Sequence, residues 1–266
     1  SQNILAMTRS QHAARLLLDA RRPGSALTAL PDHIIPTNKN EAYLIQAELV
    51  DMLSLQSGRP AGYKVGCTNA TAREMLALDS PFSGRCFENE ITQSPDTINA
   101  SALHMVGIEP EIALRISKDF EPFQLWRADN VIPYIDAVIP AIEVVESRFS
   151  TWPLMGFLSA IADNGVHRRL VLGNPITHWT PEKVEGAHVI LKANDKEVRQ
   201  GIADNVDGGP FGVVAWLANH LNDLGTTLNA GDIVSTGVMT DIYDSAPGET
   251  LVAEYDFPAH VHLNIT

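Results

Sequence analysis

The row Gly107-Ile108-Glu109-Pro110-Glu111-Ile112-Ala113-Leu114-Arg115-Ile116-Ser117 constrains the chain more than any other stretch. Ile108, Ile112, Leu114 and Ile116 recur at every second position, interrupted at Pro110, and this predicts a β-strand. Glu109, Glu111, Ala113 and Arg115 then share the other face. Two carboxylates side by side over a greasy reverse face repel each other, and burial worsens this unless one is protonated or a cation lies between them. The simplest such cation is a hard divalent ion, Mg²⁺ or Mn²⁺, which takes oxygen ligands and keeps positions for water or substrate. The plainer alternative is a solvated strand face. A second Glu-x-Glu, Glu88-Asn89-Glu90, has no apolar alternation behind it and reads as a solvated turn.

Composition excludes several functions. The formal net charge is −13 over 266 residues, with no Lys/Arg-rich run, which argues against nucleic acid or an anionic membrane as partner. Cys67 and Cys86 are the two cysteines, without CxxC or Cys/His spacing, so neither zinc nor a disulfide framework is expected. No apolar run approaches the roughly 20 residues of a membrane span, and the N-terminal stretch carries charges rather than a signal-type core. The expectation is a cytoplasmic chain of one large domain with a small appendage.

Ser10 to Arg22 reads as a helix capped by Ser10 and stopped by Pro23-Gly24, and about 40–56 as a second one. Together they form an N-terminal helical subdomain, residues 1–60, with residues 61–266 as the catalytic domain. Beyond residue 61, strands are expected near 62–68, 84–87, 107–117, 139–145, 168–172, 187–193, 196–200, 250–257 and 260–265. Asn194-Asp195 joins two of them as a hairpin. Helices are expected near 69–78, 128–138, 154–162 and 210–224. Strands and helices do not alternate regularly, so the fold class is α+β.

Three further segments carry chemistry. In Gly62-Tyr63-Lys64-Val65-Gly66 a lysine is flanked on its own strand face by two glycines, where a ligand or another backbone can approach closely. In Pro140-Ala141-Ile142-Glu143-Val144-Val145-Glu146 the lone acid Glu143 interrupts an apolar run and is either paired or metal-bound, with Glu146 as a competitor. Gly231-Asp232-Ile233-Val234-Ser235-Thr236-Gly237 enters and leaves a strand through glycines and presents small hydroxyls where a carboxylate could bind. His167, His178 and His220 have no partner at metal spacing.

In this order and spacing the segments resemble the fumarylacetoacetate-hydrolase superfamily, in its branch of 2-keto-4-pentenoate hydratases and 4-oxalocrotonate decarboxylases. The resemblance rests also on Ser147-Arg148, Ala162-Asp163-Asn164, Leu172-Gly173 and Leu217-Ala218-Asn219, and runs from about Ala61 to Gly248. It implies a mixed β-roll core and a homo-oligomer, which could also associate with a related pathway lyase. It further implies a Mg²⁺ or Mn²⁺ held by Glu109, Glu111 and Glu143. Lys64, Ser83 and Asp163 become the catalytic candidates, and Gly66, Ser235 and Thr236 the substrate-binding ones. Ser83 stands where such hydratases usually carry an aspartate. The implied activity is hydration of a short 2-hydroxy-2,4-dienoate in aromatic catabolism. A 4-oxalocrotonate-type decarboxylase and a catalytically silent partner subunit are the alternatives.

Overall fold

A computed structural model describes residues 7–266. Helices α1 (Arg9–Asp19) and α2 (Lys39–Ser57) open the chain. The cap of α1 is Thr8, two residues earlier than expected. Its hydroxyl accepts from the amide of Gln11 while the Gln11 side chain accepts from the amide of Thr8, a reciprocal box that Ser10 would lack. Asn38 caps α2. The apolar stripes of the two helices pack on each other and on Phe87, Phe149 and Ala162.

The rest of the chain runs β1 (Pro60–Gly66), α3 (Ala70–Leu76), β2 (Phe82–Phe87), β3 (Ile91–Gln93), β4 (Asp96–Ile98), β5 (Gly107–Ile116) and β6 (Ile135–Val145). It continues through α4 (Phe157–Ala162), β7 (His167–Leu172), α5 (Pro181–Glu185), β8 (His188–Ala193), β9 (Lys196–Ile202) and α6 (Gly209–Asp223). Strands β10 (Ile233–Val238), β11 (Tyr243–Asp244), β12 (Thr250–Tyr255) and β13 (Ala259–Ile265) close it. The helix expected over 128–138 is absent. A single 3₁₀ turn, Ile132–Tyr134, precedes β6, which is apolar on both faces and begins at Ile135. Such a two-sided apolar run belongs to a strand buried on both faces.

Eight strands form one curled sheet in the order β2-β1-β10-β5-β6-β7-β3, with β11 added beside β5. A second sheet runs β4-β13-β12-β8-β9. Asn194 and Asp195 both take positive φ in the β8–β9 hairpin, as a two-residue turn between twisted strands requires. Ile108, Ile112 and Leu114 of β5 join Ile142 and Val144 of β6, Phe211 and Leu217 of α6, and Leu251 and Leu263 of the second sheet in the main core. The other face of β5 and β6 turns inward. There Ala113, Ala137, Ile139 and Ala141 make a small cluster with Cys86 and Leu170. The inner face of the curled sheet is therefore narrow, and its acidic residues sit at the end of that small cluster. The β-roll with N-terminal helices expected from the sequence is the fold observed.

Candidate metal centre

Glu109 and Glu143 are directly opposite in the β5–β6 ladder, and Glu111 lies one inward position along, opposite Ala141. One oxygen from each of the three carboxylates falls within 4.8 Å of the others. Glu111 and Glu143 are fully buried. Like charges directly opposite destabilise a sheet, so the arrangement demands compensation.

Part of it is built in. Glu111 Oε1 accepts from Ser235 Oγ at 2.7 Å and from the Gly237 amide at 2.9 Å. That amide reaches it because the β5–β10 register shifts between Ser235 and Val238 and Gly237 adopts φ +107. A Cβ there would stand 2.2 Å from Thr68 Oγ1, so only glycine fits. Pro110, which has no N–H for a ladder, lies beside that bulge and accepts from the Met239 amide. From the second sheet, the Tyr255 hydroxyl accepts from the Glu111 amide and lies 2.7 Å from the carbonyls of Glu111 and Ala141. It pins both strands beneath the centre.

Glu143 Oε2 receives Lys64 Nζ at 3.0 Å and His167 Nδ1 at 2.8 Å. Lys64 also donates to the Gly165 carbonyl at 2.9 Å. Burial would lower the lysine's pKa, but Glu143, Glu109 and Glu111 outweigh it and the net shift is upward. Burial also opposes ionisation of Glu143, yet Lys64 and His167 hold it down at about 2. Burial and then Glu143 push Glu109 up to about 7, and the same two causes push Glu111 well above the carboxylate range. Burial, offset in part by Glu143, lowers His167, so its neutral ring donates Nδ1–H to the carboxylate.

Glu111 Oε2 and Glu143 Oε1 are buried with no hydrogen-bond partner. Unpaired buried carboxylate oxygens are costly. Two such oxygens converging with Glu109, in an all-oxygen set of three carboxylates, fit a hard divalent cation. Lys64 and Glu109 line a cavity of about 460 Å³, whereas Glu111 and Glu143 lie behind its wall.

The other expected site residues are placed differently. Gly66 lines the cavity, but a Cβ on it would meet the Phe82 ring at 2.8 Å; the space beside Lys64 is taken by that ring. Ser235 and Thr236 are buried, the first bound to Glu111 and the second to the Ile112 carbonyl, so the substrate-binding role expected for them gives way to holding β5. Ser83 lies on the opposite face of β2 from Phe82, and its Oγ is 3.2 Å from His220 Nε2, away from the carboxylates. Asp163 is buried against Arg148, accepting from its amide at 3.0 Å. Glu146 also turns from the centre, to the His104 amide and Arg148. His167 and Tyr255 are the centre's unforeseen members. Each reaches it across a strand register that no local spacing encodes.

Residues 70–260 match the family described as fumarylacetoacetate (FAA) hydrolase C-terminal. A 2-keto-4-pentenoate hydratase of Paraburkholderia xenovorans (strain LB400) is 29% identical over 241 residues, covering 90% of this chain and 88% of the relative. A 4-oxalocrotonate decarboxylase of Pseudomonas putida is 28% identical over 217 residues, 81% of each chain. Among solved structures, 4-oxalocrotonate decarboxylase from Pseudomonas putida G7, complexed with magnesium and adipate, superposes with a TM-score of 0.88 at 23% identity, covering 97% of both chains. No helix among the described residues is long and apolar enough to cross a membrane.

Proposed function

The chain belongs to the FAA hydrolase C-terminal family, and we propose that within it the chain is a divalent-metal-dependent hydro-lyase. Its substrate is a short 2-hydroxy-2,4-dienoate of the kind formed in aromatic catabolism, and its product a 4-hydroxy-2-oxo acid. The observation that carries the reading is a buried ammonium beside three converging carboxylates, of which the lysine and Glu109 reach one cavity. The hydratase relatives support it.

Glu109, Glu111 and Glu143 would hold the Mg²⁺ or Mn²⁺, which when bound supplies Lewis acidity toward the carboxylate and 2-oxygen of a 2-oxo acid. Ser235, Gly237 and His167 orient two of those carboxylates. Lys64 Nζ spends two N–H groups on Glu143 and Gly165, which leaves a third for the substrate's 2-oxygen. Ketonisation takes the proton from the 2-hydroxyl and delivers one to C5. Lys64 stabilises the negative charge that develops on O2 during this change. The double bond is then C3=C4, conjugated with the 2-oxo group, and water adds with its oxygen on C4 and its proton on C3. Leu76, Phe82, Val145, Trp152, Val166 and Ile242 give the cavity apolar surface against which the diene can pack.

The 4-oxalocrotonate decarboxylase relative favours a second reading, in which the same stabilised charge at O2 serves loss of CO₂ from a vinylogous β-keto acid. Incubation with Mg²⁺ and 2-hydroxypenta-2,4-dienoate separates the two when dienol absorbance and CO₂ are followed together, with 2-oxohex-3-enedioate in a parallel assay. Loss of absorbance without CO₂ is expected. CO₂ release from the diacid would transfer the assignment to decarboxylation, and turnover of neither would overturn the lyase reading in favour of a silent subunit. The reading has the protein act in the cytoplasm as a homo-oligomer, for which exposed Phe123, Leu125 and Leu154 offer apolar surface to cover.

A further inference from the structure

Asn164, Gly165 and Val166 form a turn in which all three residues take left-handed backbone angles, φ 52, 62 and 55. Such an angle is ordinary for glycine or asparagine, but for a β-branched residue it is a genuine outlier. All three residues are buried. A strained turn persists only where its surroundings over-determine it, and here they do. β2 is the end strand of the eight-stranded sheet, so its outer edge has backbone groups to satisfy. The Asn164 side chain meets both at Arg85: Oδ1 accepts from the amide at 2.7 Å and Nδ2 donates to the carbonyl at 2.9 Å. The turn comes this close because Gly84 has no side chain; a Cβ there would stand 2.4 Å from the Asn164 carbonyl oxygen. On its far side the Glu146 amide donates to the Val166 carbonyl at 2.8 Å. Held in this way, the turn aims the Gly165 carbonyl at Lys64 Nζ, 2.9 Å away. Glu143 alone would leave the ammonium free to rotate, whereas two acceptors fix where its third N–H points.

We infer that Asn164 is a positioning residue of the lyase reaction: clipped to Arg85 across the edge of β2, it keeps the turn left-handed, and the Gly165 carbonyl then directs the free N–H of Lys64 to the substrate's 2-oxygen. The inference rests on the reading of Lys64 as the donor at that oxygen and adds the part of the fold that aims it. Asn164 is buried and off the cavity wall, so it acts on the reaction only through the lysine.

Asn164→Gly tests it, because glycine adopts left-handed angles freely and only the clip to Arg85 is lost. With saturating Mg²⁺ and 2-hydroxypenta-2,4-dienoate, kcat should fall about 10–100-fold, the scale of a misaligned group, while KM stays near the parental value. In a Lys64→Met background the same substitution should cost less than about 3-fold in kcat, because the group it aims is gone. The metal-free proteins give a readout that needs no turnover. In EDTA, denaturant titration of the four proteins should show Asn164→Gly lowering the folding constant at least about 5-fold less in the Lys64→Met background than in the parent. If Asn164→Gly does not fold, Asn164→Asp, which keeps the acceptor for the Arg85 amide and loses only the donor, takes its place in the same cycle. Equal losses in the two backgrounds, in turnover or in stability, or a loss carried by Mg²⁺ affinity, would make the turn a scaffold alone and overturn the inference, with Lys64 still the donor. A parent protein that turns over no dienoate overturns the reading of the centre and this inference together.

Discussion

Glu109 and Glu143 are cross-strand partners, paired one to one in the antiparallel β5–β6 ladder, with Glu111 on the same inward face. Burial and Glu143 raise Glu109 to about 7 and push Glu111 well above the carboxylate range. In the unfolded chain both titrate near 4.3. Above that pH the metal-free folded state binds more protons than the unfolded state, so its stability falls as pH rises. The buried histidines His167 and His220, both lowered, work in the other direction but only below about 6.5. Between pH 6.5 and 8.5 the melting temperature in EDTA should therefore fall. The gain on adding Mg²⁺ should grow over the same interval, since the cation competes with the retained protons. Thermal scans with and without metal at four or five pH values check this, and a metal increment independent of pH would contradict it.

Ser235 is expected to act on Glu111, not on substrate. Its hydroxyl is buried and donates to Glu111 Oε1 at 2.7 Å. Ser235→Ala should weaken Mg²⁺ binding by about 10–100-fold, the usual cost of losing a partner of a metal ligand. At saturating Mg²⁺ the KM for substrate should move little. Calorimetric metal titration and steady-state kinetics at two metal concentrations separate these quantities; a raised KM with unchanged metal affinity would return Ser235 to the substrate.

The alternation of β5 was legible because one face is apolar at nearly every second residue, and Glu143 because a lone acid in an apolar run has few reasons to be there. What lay beyond the sequence was register. Ser83 and Phe82 are chain neighbours, and strand parity sends Phe82 to the cavity and Ser83 to His220. The hydroxyl-rich Ser235-Thr236-Gly237 looked like a carboxylate-binding turn, and it does bind a carboxylate, that of Glu111, because the bulge at Gly237 swings the amide inward. His167 opens β7 with nothing in its own neighbourhood to mark it, and meets Glu143 through the β6–β7 pairing. The run 128–138 misled because short apolar stretches fit helix and strand periods equally.

Lys64 is buried and its nearest carboxylate is Glu143 at 3.0 Å. Lys64→Met keeps the length of the side chain and removes the charge. Breaking a buried pair from one side costs about 3–5 kcal/mol, so the metal-free variant should melt well below the parent, and Mg²⁺ should recover part of the loss. Loss of the donor at O2 should lower kcat by about 10²–10³-fold. A variant whose folded, metal-loaded form turns over at near-parental kcat would remove Lys64 from the chemistry.

Asp163 is the sequence candidate that geometry relocates most clearly. It is buried beside Arg148, with Oδ2 accepting the Arg148 amide at 3.0 Å and Oδ1 3.7 Å from the guanidinium. Arg148 in turn donates to the carbonyls of Glu146 and His167, and Leu27 donates to the Arg148 carbonyl. The pair therefore ties the segment after β6 to the start of β7, where His167 must be held against Glu143. Asp163→Ala removes the acceptor of the Arg148 amide and one of the two carboxylates beside the buried guanidinium, which keeps Glu146 at 3.3 Å, a defect of about 1–3 kcal/mol, whereas Asp163→Asn keeps an acceptor for the Arg148 amide and should lose less. Chemical denaturation of both variants should show that order. The folded fraction of Asp163→Asn should retain kcat within a few-fold and show the parental pH profile, because its effect on the centre passes only through the placement of His167. A kcat loss of about 10²-fold or more in a fully folded Asp163→Asn, the scale of a lost general acid or base, would restore the residue to the catalytic set.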